Sequence, residues 1–171
     1  MTNNRLTSYL MILTLILAVT GFTGAEDWKS ADTGGFHLEW MVDGSNLNIK
    51  VSTATEGWIA VGFNPTNKMK DANIIIGYIE DGMVTIEDHF GNGKFSHRSD
   101  VSLGGNDDVS NIGGSEENGV TELIFTIPMD SGDQDDRALT EGQRYKVIFA
   151  SHKKDRITVK HNNRSSVEIT L

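Results

Sequence analysis

The chain has 171 residues, 15 basic against 24 acidic, for a formal net charge of −9. That balance argues against nucleic acid as a partner, which needs a basic face, and suits a basic protein partner or a cation. There is no cysteine, so disulfides, thiolate metal sites and covalently attached haem are excluded and stability must come from the core alone.

In chain order, Arg5, an apolar run over 10–19 and the small residues Thr23-Gly24-Ala25 form the pattern of a secretory signal peptide over 1–25. The run is too short to span a bilayer. Cleavage near Glu26 would remove only Arg5 among the charges, taking the net charge from −9 to −10. The remaining segment, 26–171, suits one domain.

Strand signals dominate it. Residues 36–42 alternate apolar and polar, Asp43-Gly44 reads as a turn, and 47–51 alternate again. Residues 58–63 are short and apolar, and 74–79 form a β-branched run expected of a strand buried on both faces. Glu80-Asp81-Gly82 turns the chain into a strand over 83–90. Glycine and polar residues over 91–119 predict surface loop with short strand pieces. Strand character resumes over 120–127 and stops at Pro128, and 130–142 is an acidic link in which 135–141 offers at most a turn of helix. Strands over 145–152, 155–161 and 165–171 complete about nine, the pattern of an antiparallel β-sandwich.

Two residues stand out chemically. On a strand over 157–161, Ile157, Val159 and His161 share the inward face. A buried imidazole needs a partner, since leaving it unpaired costs about 1–3 kcal/mol. A metal atom would serve, and so would a loop carbonyl. Met69 lies in a polar, lysine-flanked turn (Pro65 to Lys70), either reaching back over the end of the sandwich to a cofactor or closing the loop as a gap-filler. A thioether and an imidazole are together the axial pair of many electron-transfer haems. His152 shares the parity of Ile148 and Ala150 and is the substitute for His161. His89 stands at the possible pocket edge, while His97 and His37 read as solvated.

The five histidines match no zinc spacing, and copper held by scattered His and Met has no motif behind it. The acidic pairs Glu87-Asp88, Asp107-Asp108, Glu116-Glu117 and Asp133 with Asp135-Asp136 read as solvated loop acids, although Asn106 to Asp108, or Asp130 with Asp133 and Asp135, carry calcium-type ligands. No nucleophile elbow, phosphate loop or dinucleotide fingerprint is present. Candidate apolar walls are Trp40, Trp58, Phe63, Ile76, Tyr78, Phe90, Phe125 and Phe149, and Arg164 with Lys68 or Lys70 could pair with acidic groups at a pocket rim.

The order of several segments resembles the DOMON domain family. Gly57 to Phe63 is similar to its Gly-Trp strand, Met69 to Tyr78 to its methionine loop and following strand, and Val84 to Phe90 to the strand after that. Gly119 to Asp136, Tyr145 to Ala150, and Lys160 to Ser165 with its terminal histidine and arginine continue the likeness, which runs from about Phe36 to Leu171. The resemblance implies an immunoglobulin-like sandwich that in one branch holds a non-covalent b-type haem between Met and His, and in another binds sugars. Met69 and His161 would be the axial ligands, with Arg164, Phe63, Tyr78 and Phe90 lining or closing the haem site. Asn73 and Ser165 depart from the family pattern; neither stands at a proposed iron ligand, and Ser165 lies in the loop beside His161.

The expected role is one-electron transfer, without catalysis of its own, between this exported domain and a redox partner such as a membrane cytochrome or a secreted oxidoreductase. The alternatives are a haem-free module for carbohydrate or another small ligand, with Trp28 and Trp40 as stacking candidates, and a structural or adhesion domain.

Overall fold

The computed structural model describes residues 27–134 and 136–171; the leader expected over 1–25 lies outside them. Eleven strands form two antiparallel sheets among the described residues, an all-β sandwich as expected. They are β1 (Lys29–Thr33), β2 (Phe36–Asp43), β3 (Asn46–Thr53), β4 (Ile59–Phe63), β5 (Asn73–Glu80), β6 (Met83–Gly93), β7 (Ser96–Ser99), β8 (Ser110–Glu117), β9 (Val120–Pro128), β10 (Arg144–Ser151) and β11 (Asn163–Thr170). One sheet runs β1-β2-β3-β9-β8, the other β11-β10-β4-β5-β6-β7. One helical turn, α1 (Asp100–Leu103), links β7 to β8. Among the described residues no helix is long and apolar enough to cross a membrane.

The alternation read in β2 and β3 puts Phe36, Leu38 and Trp40 with Leu47, Ile49 and Val51 into the space between the sheets. Leu123, Phe125 and Ile127 of β9 join them, against Ile59, Val61, Phe63, Ile75, Val147 and Phe149 of the second sheet. The Phe36 and Phe149 rings stack at 5.3 Å across this core. Burying some twenty such side chains, each contributing about 1.5–3 kcal/mol, is the main force holding a chain that has no disulfide. Asp81 and Gly82, at φ 52° and 76°, make the tight turn between β5 and β6.

Four expectations are corrected. Residues 155–161 are not a strand but part of the loop between β10 and β11, so His161 is not placed by strand parity. The segment 91–119 holds the end of β6, all of β7 and β8, and α1, rather than mostly loop. The described part of 135–141 contains no helix; the helical turn is at α1. Finally β1, absent from the sequence reading, pairs with β2 from Lys29↔Trp40 to Thr33↔Phe36. Its sequence, KSADT, has no apolar alternation because only Ala31 packs on the core.

Candidate functional site

The second sheet has two working faces. Ile59, Val61 and Phe63 of β4 face the core between the sheets, and Ala60 and Gly62 face outward. The register aligns Arg164, Ala150, Ala60 and Ile76 in one outer row, and Ser166, Ile148, Gly62, Ile74 and His89 in the next. Small residues at the centre of both rows leave a depression between the isoleucines. A Cβ on Gly62 would lie 2.9 Å from Ile148 Cγ1 and 3.1 Å from Ile74 Cγ1, so the floor admits nothing larger without moving its neighbours. The result is a cavity of about 550 Å³ on the outer face of the sheet, not at the end of the sandwich. It explains why β5 is apolar on both faces: Ile75 feeds the core, and Ile74 and Ile76 feed the cavity.

Met69 reaches the cavity from the loop between β4 and β5. That loop is wound tightly, with Asn64, Lys68 and Asp71 at positive φ. It is pinned to β6 by Asp71 N–H to Gly91 O at 2.7 Å and Gly91 N–H to Ala72 O at 2.9 Å, and Ala72 N–H donates to Met69 O at 3.1 Å. Met69 N–H donates to Lys94 O at 3.4 Å, tying the methionine toward the β6–β7 side of the sheet.

His161 enters from the opposite flank, two residues before β11. Its loop is anchored by Asn162 N–H to Ser151 O (3.0 Å), Trp58 N–H to Lys154 O (3.3 Å) and His152 N–H to Trp58 O (3.0 Å). Partial burial, with Arg164 and Lys160 nearby, lowers its pKa and favours the neutral imidazole, the form that binds metal.

The lining carries Lys68, Lys94, Lys146 and Arg164 and no carboxylate. An acidic chain thus presents a basic rim at this one cavity, a field suited to an apolar ligand with negative groups. Lys68 Nζ lies 4.0 Å from the centroid of the Phe95 ring, another lining residue. Lys70 turns instead toward Asp71, at 3.9 Å, outside the lining.

His97, read from sequence as solvated, lines the cavity. Its Nδ1 is 2.9 Å from His89 Nδ1, and His89 Nε2 is 3.0 Å from Glu87 Oε2. For a neutral His89, Nε2–H donates to Glu87 and Nδ1 accepts from His97 Nδ1–H, which leaves His97 Nε2 with a lone pair. Burial first, then the neighbouring His89, pushes the His97 pKa down to about 4. Period-two spacing within β6 and β7 could not reveal this, because the pairing His89↔Ser99 follows a bulge between Phe90 and Gly93.

Other expected wall residues lie elsewhere. Phe63 points into the core between the sheets, 1% exposed, because its parity in β4 matches Val61 rather than Gly62. Phe90 shares the register row of Phe63 through Asn73 and is likewise off the cavity face. Tyr78 packs on the same outer cluster as Ile76 but does not line the cavity. His152 stacks on Trp58 at 6.5 Å, its Nδ1 accepts from Lys154 N–H at 3.1 Å, and it does not line the cavity, so it does not replace His161 there. Trp40 is core, and Trp28, half-buried, carries Lys50 Nζ over one face of its ring at 4.2 Å.

Comparisons with known proteins agree on the fold. The DOMON domain profile matches residues 32–152. Two curated relatives, human and mouse DBH-like monooxygenase protein 1, are each 27% identical over 122 residues, covering 71% of this chain but 19% of theirs. The chain thus spans about a fifth of the length of those relatives. Among solved structures, the cytochrome domain of Myriococcum thermophilum cellobiose dehydrogenase superposes with a TM-score of 0.61 at 16% identity, covering 84% of this chain and 81% of that one. The cytochrome b domain of pyranose dehydrogenase from Coprinopsis cinerea gives 0.58 at 11% identity, covering 80% and 77%.

Proposed function

Because this chain belongs to the DOMON domain family, we propose that it is an exported b-type haem domain that carries single electrons. The observation behind this reading is the meeting of Met69 and His161 at one apolar cavity whose rim is basic. The residues fit the group. A neutral imidazole and a soft thioether are a low-spin axial pair, and the thioether favours the ferrous state. The floor of Ala60, Gly62, Ile74, Ile76, Ile148 and Ala150 suits a flat apolar body. Arg164 with Lys68, Lys94 or Lys146 would hold two propionates by charge-assisted hydrogen bonds.

Haem held by Met69 and His161 would supply a one-electron couple. The chain's own part is to orient His161, hold Met69 through the Gly91 contacts, and keep water off the floor. Two named solved neighbours are cytochrome domains of dehydrogenases, and this chain would likewise exchange electrons with a membrane cytochrome or a secreted oxidoreductase. A carbohydrate module is the weaker reading, since Trp40 is buried and Lys50 already occupies one face of Trp28.

The test is an absorption spectrum of the haem-reconstituted domain, oxidised and reduced, beside Met69→Ala and His161→Ala. Sharp reduced α and β bands, lost or shifted in both variants, support the reading. Failure of the wild type to take up haem stoichiometrically sinks it.

A further inference from the structure

Two carboxylates in this acidic chain are not solvated at all. Asp88 of β6 is 2% exposed, and Asp100, the first residue of α1, is fully buried. With Asp136, from the segment after β9, each brings one oxygen to within 4.8 Å of the others. This corrects the reading of Asp88 and Asp136 as solvated loop acids; Asp100 carries no sequence signal, and the three residues come from three distant segments that only the fold brings together.

Acid clusters occur on many proteins without a ligand, so the cluster alone decides nothing. The second observation is Asp88 itself. Its Oδ2 accepts Asp108 N–H at 3.3 Å, while Oδ1 is buried with no hydrogen-bond partner. A buried, half-satisfied carboxylate is costly. Burial, with Asp136 and Asp100 beside it, pushes the Asp88 pKa up to about 8.

We propose that Asp88, Asp100 and Asp136 form a binding site for a divalent cation that prefers oxygen ligands, calcium above all. The three oxygens all lie within 4.8 Å of one another, close enough to share one ion. Calcium accepts about six to eight oxygen ligands in flexible geometry, whereas magnesium demands a near-ideal octahedron, so an all-protein carboxylate cage suits calcium. Asp108, whose backbone N–H donates to Asp88, stands beside the site as a further ligand. The ion would clamp β6, α1 and the segment around Asp136 together. It would also steady β7, which runs directly into Asp100 and carries His97 to the cavity on the other face. The proposal is independent of haem.

The experiment uses the haem-free chain stripped with EDTA and titrated with calcium chloride by calorimetry, with thermal unfolding followed in calcium and in EDTA. The expected result is one calcium per chain and a melting temperature several degrees higher in calcium than in EDTA, at 100-fold excess over Kd. Asp88→Asn should weaken binding at least tenfold, and the exposed control Glu117→Gln should leave it unchanged. If Asp88→Asn does not fold, the half-buried Asp136→Asn takes its place with the same expectation. No calcium heat and no calcium-dependent shift in the wild type would overturn the proposal. So would calcium binding that Asp88→Asn and Asp136→Asn leave intact. In the first case Asp88→Asn should instead stabilise the protein, because the amide removes a buried carboxylate that no ion offsets.

Discussion

Gly91 packs directly beneath the carbonyl of Met69: a Cβ at position 91 would lie 1.7 Å from Met69 O. No side chain fits there without moving the backbone that presents the methionine. Gly91→Ala is therefore expected to cost about 1–3 kcal/mol in denaturant unfolding. In haem-reconstituted protein it should reproduce the spectrum of Met69→Ala. A wild-type spectrum in Gly91→Ala would show that the loop position is not what aims Met69.

His97 gives a pH prediction for the haem-free protein. Its pKa is about 4 in the fold against an ordinary 6.5. Between those values the unfolded chain binds more protons than the folded one, so stability is full above about pH 6.5 and falls as pH drops toward 4. His97→Gln should flatten that slope, as read by urea midpoints at pH 4.5, 5.5 and 7. Equal slopes in both proteins would contradict the burial of this imidazole.

Filling the floor should separate ligand binding from folding. Ala150 lies in the outer row beside Ala60, half-buried and facing the cavity. Ala150→Leu is expected to leave the melting temperature within a few degrees of wild type and to abolish stoichiometric haem uptake, measured by Soret titration. Unimpaired uptake would place the ligand elsewhere.

The basic rim should contribute modestly. Arg164 is exposed, so Arg164→Ala is expected to weaken haem retention roughly two- to fivefold, equivalent to ~0.5–1 kcal/mol. The check is the rate of haem transfer to an acceptor apoprotein at low and high salt, where the difference from wild type should shrink with salt.

Phe63 and Met69 should behave as opposites. Phe63→Ala empties a position in the core between the sheets and is expected to cost about 3–5 kcal/mol of stability. Met69→Ala removes a half-buried loop side chain and should cost far less while changing the haem spectrum. Unfolding curves and spectra of the two variants distinguish a core wall from a cavity ligand.

What was legible in the sequence follows from burial. The central strands β2 to β5, β9 and β10 each pack at least one apolar face, so their periodicity is strong enough to read. Three of the four edge strands, β1, β7 and β8, have polar or glycine-rich sequences and were missed or read as loop. They exist because a neighbouring strand offers them hydrogen bonds, and edge strands stay polar so that no other chain pairs with them. The cavity residues Met69, His161 and Arg164 were likewise named from local sequence.

Their meeting place was not legible. His161 was assigned to a strand that is a loop, and Phe63 and Phe90 were assigned to a cavity that their parity turns them away from. A sequence fixes which residues alternate, but only the pairing register decides which face of a sheet meets the other sheet. The same holds for His97 beside His89, and for Asp88, Asp100 and Asp136. Contacts between residues far apart along the chain leave no periodicity in it, so the burial that shifts their pKa values appears only when the two sheets are assembled.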